Sequence, residues 1–184
     1  MVDMPKKITI GKNGVDFKQA AVMVREYQKS LNDKCLQLCR ELCSAGVTVA
    51  RAKIGDSGFG RYITLSSEIT PEQAGCKAVL YMEDSSKIKS QWRTKDGIRS
   101  AEISPSLMIE FGSGLKAENP AGIQGVGTGT FPGQTHAKDP SGWWYMDLNG
   151  VWHHSTGASP KMPMYFAGKE MREKIVELAR EVFK

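Results

Sequence analysis

No apolar run in this sequence approaches the roughly 20 residues that span a bilayer, so no membrane segment is expected. The opening MVDMPKKITI has lysines but no apolar stretch behind them. That predicts no secretory leader and a chain that stays in the cytoplasm of the cell that makes it, unless it leaves inside a larger assembly. Cysteine is scarce, at positions Cys35, Cys39, Cys43 and Cys76. Three of these recur every fourth residue, stacked along one side of a helix, where the geometry forbids bonds among them. No CxxC pair offers a zinc site. Free, buried thiols in a reducing compartment are the expectation. Charge of one sign is also modest. Lys and Arg number 25 and Asp and Glu 20, a net +5 that permits a polyanionic partner without demanding one. With 184 residues, 40% of them hydrophobic and 24% charged, the chain reads as a single domain over 1–184.

The signatures of catalysis are missing as well. There is no GxSxG elbow. Gly125-Val-Gly-Thr-Gly129 has no Lys-Ser or Lys-Thr after it and no helical pattern, so it is no nucleotide loop. Cys76 lies within an apolar strand pattern, a poor place for a nucleophile. His153 and His154 are adjacent on an expected strand and point to opposite faces, so they cannot share one metal. One of them with Asp147 or His136 is the alternative reading, a small metal-dependent nuclease. The expectation is otherwise no enzyme, no cofactor and no resident metal.

What is present is an α+β pattern. A short basic arm covers 1–14, with ITI at 8–10 as a possible strand. A long helix is predicted from Asp16, its N-cap, to about 44, with Gly46 just beyond its end. Its apolar stripe is Phe17, Ala20, Val24, Tyr27, Leu31, Cys35, Leu38 and Leu42. This stripe suits a helix laid across a sheet, and also one that packs between subunits. Strands are predicted at 47–54, 61–70, 76–82 and 106–111, the last entered from Pro105. A second helix is predicted over 163–183, with Pro163 in its first turn. Both helices should pack on one face of an antiparallel sheet.

Three segments attract attention as surfaces. The polar stretch 85–104 holds Lys87, Lys89, Arg93, Lys95 and Arg99, opposed within 87–99 only by Asp96. It could line a path for DNA through sequence-independent attraction, or be a solvated loop or lysine-protected edge. Residues 112–142 form a long Gly-rich loop with eight glycines and three prolines, and loops of that length are usually functional. Thr128, Thr130, Phe131, Gln134 and Thr135 are its candidate partner contacts. Then Trp143-Trp-Tyr-Met-Asp-Leu148 and Val151-Trp-His-His-Ser155 flank Asn149-Gly150, a strong hairpin signal. A two-residue turn there pairs Trp152 with Asp147. Both faces of the ribbon then carry large aromatics, and Trp143, Trp144, Tyr145 and Trp152 become a candidate subunit interface.

Four segments in order carry a resemblance. They are Ile109-Glu-Phe-Gly112-x-Gly114, Gly129-Thr-Phe-Pro-Gly133, Gly142-Trp143-x-Tyr145 and Gly157-x-x-Pro160-x-Met-Pro-Met164 before a terminal helix. Together they resemble the small minor tail components of long-tailed bacteriophages, the head–tail joining or tail-completion proteins of the neck. Ser113 stands where the family more often has threonine, and Met162-Pro163-Met164-Tyr165-Phe166 replaces its Arg-Pro-Phe run. The resemblance implies a non-enzymatic virion protein, assembled in the host cytoplasm as a ring of six copies. Its partners would be itself, the tail tube or tail terminator, and the head connector, with non-specific contact to the genome on the DNA path.

Overall fold

The computed structural model describes residues 14–55, 57–73, 75–119, 122, 139–146 and 149–184. The expected strand at 8–10 and most of the 112–142 segment lie outside them. The chain folds as α+β. Helix α1 (Gly14–Ile54) is followed by strands β1 (Ile63–Glu72), β2 (Gly75–Asp84), β3 (Ile88–Thr94) and β4 (Gly97–Ile103). Helix α2 (Pro105–Phe111), strands β5 (Trp143–Met146) and β6 (Trp152–Ser155), and helix α3 (Pro163–Val182) complete it. The strands do not form one sheet: β1–β2, β3–β4 and β5–β6 are three separate antiparallel pairs.

Helix α1 runs 41 residues, about 60 Å at 1.5 Å per residue. It passes straight through Gly46 and absorbs the stretch 47–54 that was expected as a strand. The cause is packing. A Cβ at position 46 would lie 2.7 Å from Met171 Sδ and 2.9 Å from Leu80 Cδ2. Glycine here lets α3 and β2 approach α1 closely and does not end the helix. Beyond it, Ala50 and Ile54 extend the buried row of Leu42 and Cys43. Burial along that row outweighs the few tenths of a kcal/mol by which each β-branched residue at 47–49 disfavours a helix.

Helix α3 lies antiparallel on α1. Lys53 sits 3.9 Å from the Phe166 ring at one end, and Lys34 sits 5.9 Å from the Phe183 ring at the other. The β1–β2 pair packs beside them in the register Leu65↔Met82 and Ile69↔Ala78. Along β2 the even-numbered positions turn inward and Lys77, Val79 and Glu83 face solvent. Cys76 of β2 meets Cys39 of α1 sulfur to sulfur, which departs from the expectation of four unrelated thiols. Their Cα atoms are 7.2 Å apart, more than most disulfides span. Cys76 Sγ also lies 3.0 Å from the Cys35 carbonyl. Sequence separation hid this pair, since only the fold brings residues 37 positions apart together. Cys35 and Cys43 are free, and burial pushes the Cys43 thiol up.

Residues 106–111 are helical, not extended. Pro105 serves as the first helical residue, and Ser104 Oγ accepts the Leu107 N–H at 3.3 Å as N-cap. Asp84 at the end of β2 accepts the Ser106 N–H at 2.7 Å. Burial pushes the Asp84 carboxyl up, but Ser104, Ser106 and nearby Lys87 together draw it below its ordinary range.

Helix α2 ends in a clasp with the segment that leads into α3. Glu110 is buried, and its two carboxylate oxygens accept the N–H groups of Met164 at 2.8 Å and Tyr165 at 2.9 Å. These are donors that the first turn of any helix leaves without partners. The Ile109 carbonyl accepts from Lys161 and Met162, the latter held in the left-handed region at φ 52°. Ser113 N–H bonds the Ala158 carbonyl at 2.8 Å, and Ser113 Oγ accepts the Ala158 N–H at 3.0 Å. A Cβ on Gly112 would strike Ala158 and Pro160, and one on Gly157 would strike Ser113. Residues 112–118, expected as the start of an open loop, are therefore folded backbone, tied further by Leu115 to Thr156 and Glu118 to Phe111.

Glu110→Ala leaves two helix-end donors without partners in a buried place, so urea melts should show a loss of about 2–3 kcal/mol. Burial pushes the Glu110 carboxyl above its ordinary 4.5, more than its two N–H donors lower it. A carboxyl raised on folding favours the fold below its unfolded pKa and loses that contribution as pH rises through its folded value. The stability of wild type relative to Glu110→Gln should therefore fall between pH values below 4.5 and neutrality.

Candidate functional site

Two exposed hairpins hold the sequence-predicted surface residues. In the first, β5 and β6 pair Trp143↔Ser155, Trp144↔His154, Tyr145↔His153 and Met146↔Trp152. The hairpin expectation is met, but its register is not. Trp152 pairs with Met146 rather than Asp147, because five residues, not two, separate the last bridged pair. The one-pair shift moves Trp152 to the face of Trp144, away from the face of positions 143 and 145. Trp144 and Trp152 are 66% and 57% exposed. They are diagonal neighbours on one ribbon face, close enough for large rings to form a continuous patch. The expected four-residue interface thus divides, with Trp144 and Trp152 together and Trp143 and Tyr145 at positions on the other face.

His154 belongs to this patch. Its ring centre lies 4.8 Å from that of Trp144, the two planes tilted by 47°, and its Nε2 is 2.7 Å from the Ser141 carbonyl. A carbonyl accepts only, so that nitrogen carries the proton and has no lone pair for a metal. The Asp139 carboxylate in turn holds Ser141 through its N–H at 2.9 Å and its hydroxyl at 2.6 Å. His153 alternates to the opposite face. Asp147 and His136 lie outside the described residues. Among the described residues no three His, Cys, Asp or Glu side chains gather as a metal site.

The second hairpin carries the basic residues. The expected loop is the β3–β4 pair, in the register Lys89↔Glu102, Trp92↔Arg99 and Arg93↔Ile98. Positions 89 and 93 share a face, and Arg99 falls on the other. Lys87 forms an ion pair with Glu102 at 3.6 Å, and Arg99 with Asp96 at 3.8 Å. Glu102 lies just past the segment read as nearly unopposed. Both pairs are well exposed and add little stability, but they lower the field available to a polyanion. Lys95 sits in the turn and Lys89 on the strand, both exposed.

The loop contacts Thr128, Thr130, Phe131, Gln134 and Thr135 lie outside the described residues. A depression of about 370 Å³ between the end of α1 and β1 is lined by Arg51, Ile54, Gly60, Ile63 and Leu65. Among the described residues that line it there is no carboxylate, histidine or cysteine. Among the described residues, no helix is long and apolar enough to cross a membrane. Sequence reasoning placed Glu110 in a motif but missed its task. The available signal was a glutamate preceding a buried Pro-initiated helix in space, which spacing along the chain does not encode.

No protein-family model, no curated protein and no solved structure matches this chain.

If the basic hairpin meets nucleic acid, binding should be weak, independent of sequence and steeply salt-dependent, with a log–log slope of roughly −1 per phosphate contacted. Replacing Lys87, Lys89, Arg93, Lys95 and Arg99 by glutamine should flatten that slope in a filter-binding titration. An unchanged slope would remove this hairpin as the contact.

Proposed function

We propose that the chain is a structural protein of the phage virion neck, which joins tail to head as a ring around the DNA channel. The observation that carries the reading is the clasp. Segments 109–114 and 157–164, two of the four that bear the family resemblance, lie 43 or more residues apart in sequence yet interlock. Their polar groups are directed at holding α3 in place: Glu110 on its first turn, Ser113 on Ala158. Residues used in this way are scaffold, as the shared motif of a building block should be.

The reading also needs surfaces for neighbours, and the exposed Trp144–Trp152 face supplies one. An apolar patch rimmed by polar residues is a common mark of a protein contact, and tryptophan is among the strongest contributors to such contacts. In a head-to-tail ring this patch meets a different surface on the next copy, and closure sets the copy number, six in the resemblance. The tail tube or tail terminator and the head connector then take the two rims, and the basic hairpin is the candidate for the genome's path.

Light scattering of the purified chain, alone and with purified tails, tests the ring. Wild type should form a closed oligomer, and Trp144→Ser with Trp152→Ser should stay folded and lose it. A wild-type chain that never oligomerises, even on tails, would overturn the reading, as would metal-dependent cleavage of a plasmid.

A further inference from the structure

Among the described residues, none buries the N-terminal half of α1 over 21–29. Helix α3 covers the α1 stripe only as far as Lys34, where Phe183 closes it, and residues 21–29 are all exposed. Phe17, Val24, Tyr27 and Leu31 are 58%, 54%, 42% and 39% exposed. With Ala20 they recur at alternating intervals of three and four residues, the seam that another helix fills. We infer that this arm is a homotypic docking surface, on which the α1 arm of a second copy lies antiparallel.

Three observations select that occupant. The seam and the flanking Met23 expose on the order of 450 Å² of apolar surface per copy, counting large side chains at roughly 200 Å² each. Two copies face to face remove about twice that, which with the polar flanks reaches the ~1,000 Å² expected of a specific interface. Of the positions beside the seam, Ala21, Met23, Gln28 and Ser30 carry no charge and only Asp16 at its end does, so like arms repel little. The seam also complements itself in one direction. Antiparallel, Ala20 faces Leu31 and Val24 faces Tyr27, small against large, and Phe17 reaches Lys34 where α3 stops. Parallel, Ala20 faces Ala20 and Tyr27 faces Tyr27, a gap beside a crowded layer. The antiparallel arm continues the packing direction α3 already uses on the same stripe.

The inference stands on the helix alone and does not rest on the neck reading. Sedimentation of the full chain over a concentration series tests it. Wild type should pair. Val24→Glu should weaken pairing at least tenfold with unchanged helicity and melting, because Val24 is exposed in the single copy. Ala20→Glu and Leu31→Lys should each dissociate alone and pair when mixed, which only the antiparallel register allows. A wild type monomeric at every concentration, a Val24→Glu chain of unchanged mass, or a mixture that stays apart would overturn the inference. The Trp144 and Trp152 changes leave arm pairing intact, so a failed hairpin contact and a failed arm contact give different masses.

Discussion

The fold depends on one buried carboxylate. Glu110 sits beneath the first turn of α3 and accepts two of the N–H groups that the turn cannot satisfy itself. Burying a charge is unfavourable, and the raised Glu110 carboxyl records that cost. The positive end of the helix dipole and the two donors offset much of it. What the arrangement gains is direction. With α2 fixed by its cap and by Asp84, Glu110 sets where α3 begins, and the Ile109 carbonyl and Ser113 set the path of 157–162 that delivers it. Helix α3 then lies along α1 from Lys53 to Lys34, with Met171 against Gly46. The β1–β2 pair fills the remaining side through Leu80.

Much of this was legible in the sequence, and the failures share a cause. The course of α1 as far as residue 44, the β1 and β2 strands, the Pro163 start of α3 and the β5–β6 hairpin follow from local pattern, whereas Asp16, expected as the N-cap of α1, lies inside a helix that begins at Gly14. Gly46 was misread because termination and close packing both select glycine, and only the partner helix tells them apart. Residues 47–54 followed their β-branched composition until tertiary burial overruled it. Residues 106–111 looked extended because Pro105 suits a strand entrance and a first helical turn equally. The Trp152 register turned on whether an odd or an even number of residues connects the strands, which Asn149-Gly150 alone does not fix. The Cys39–Cys76 pair and the Glu110 cap are contacts between distant segments, and no spacing rule encodes them.

The described surface divides by task. The clasp and the α1–α3–β2 contact hold the polar and apolar groups that the fold itself needs. Outside them lie the Trp144–Trp152 face, the α1 arm and the basic hairpin, each made of residues that no internal packing requires. In the proposed reading, the exposed apolar helix seam and the two exposed tryptophans are the surfaces offered to neighbours. Of the two histidines of the metal-dependent alternative, His153 and His154, the second has its Nε2 engaged by the Ser141 carbonyl.

The central claim is that this chain is a repeated structural part of a virion neck. The most direct measurement is electron cryo-microscopy of assembled particles at the head–tail junction, with this structure fitted to the density. The account predicts a closed ring of copies around the channel, with the clasp inside each subunit and the Trp144–Trp152 face against a neighbour. Density at the junction that this fold does not fit, or particles that join head to tail without the chain, would contradict it.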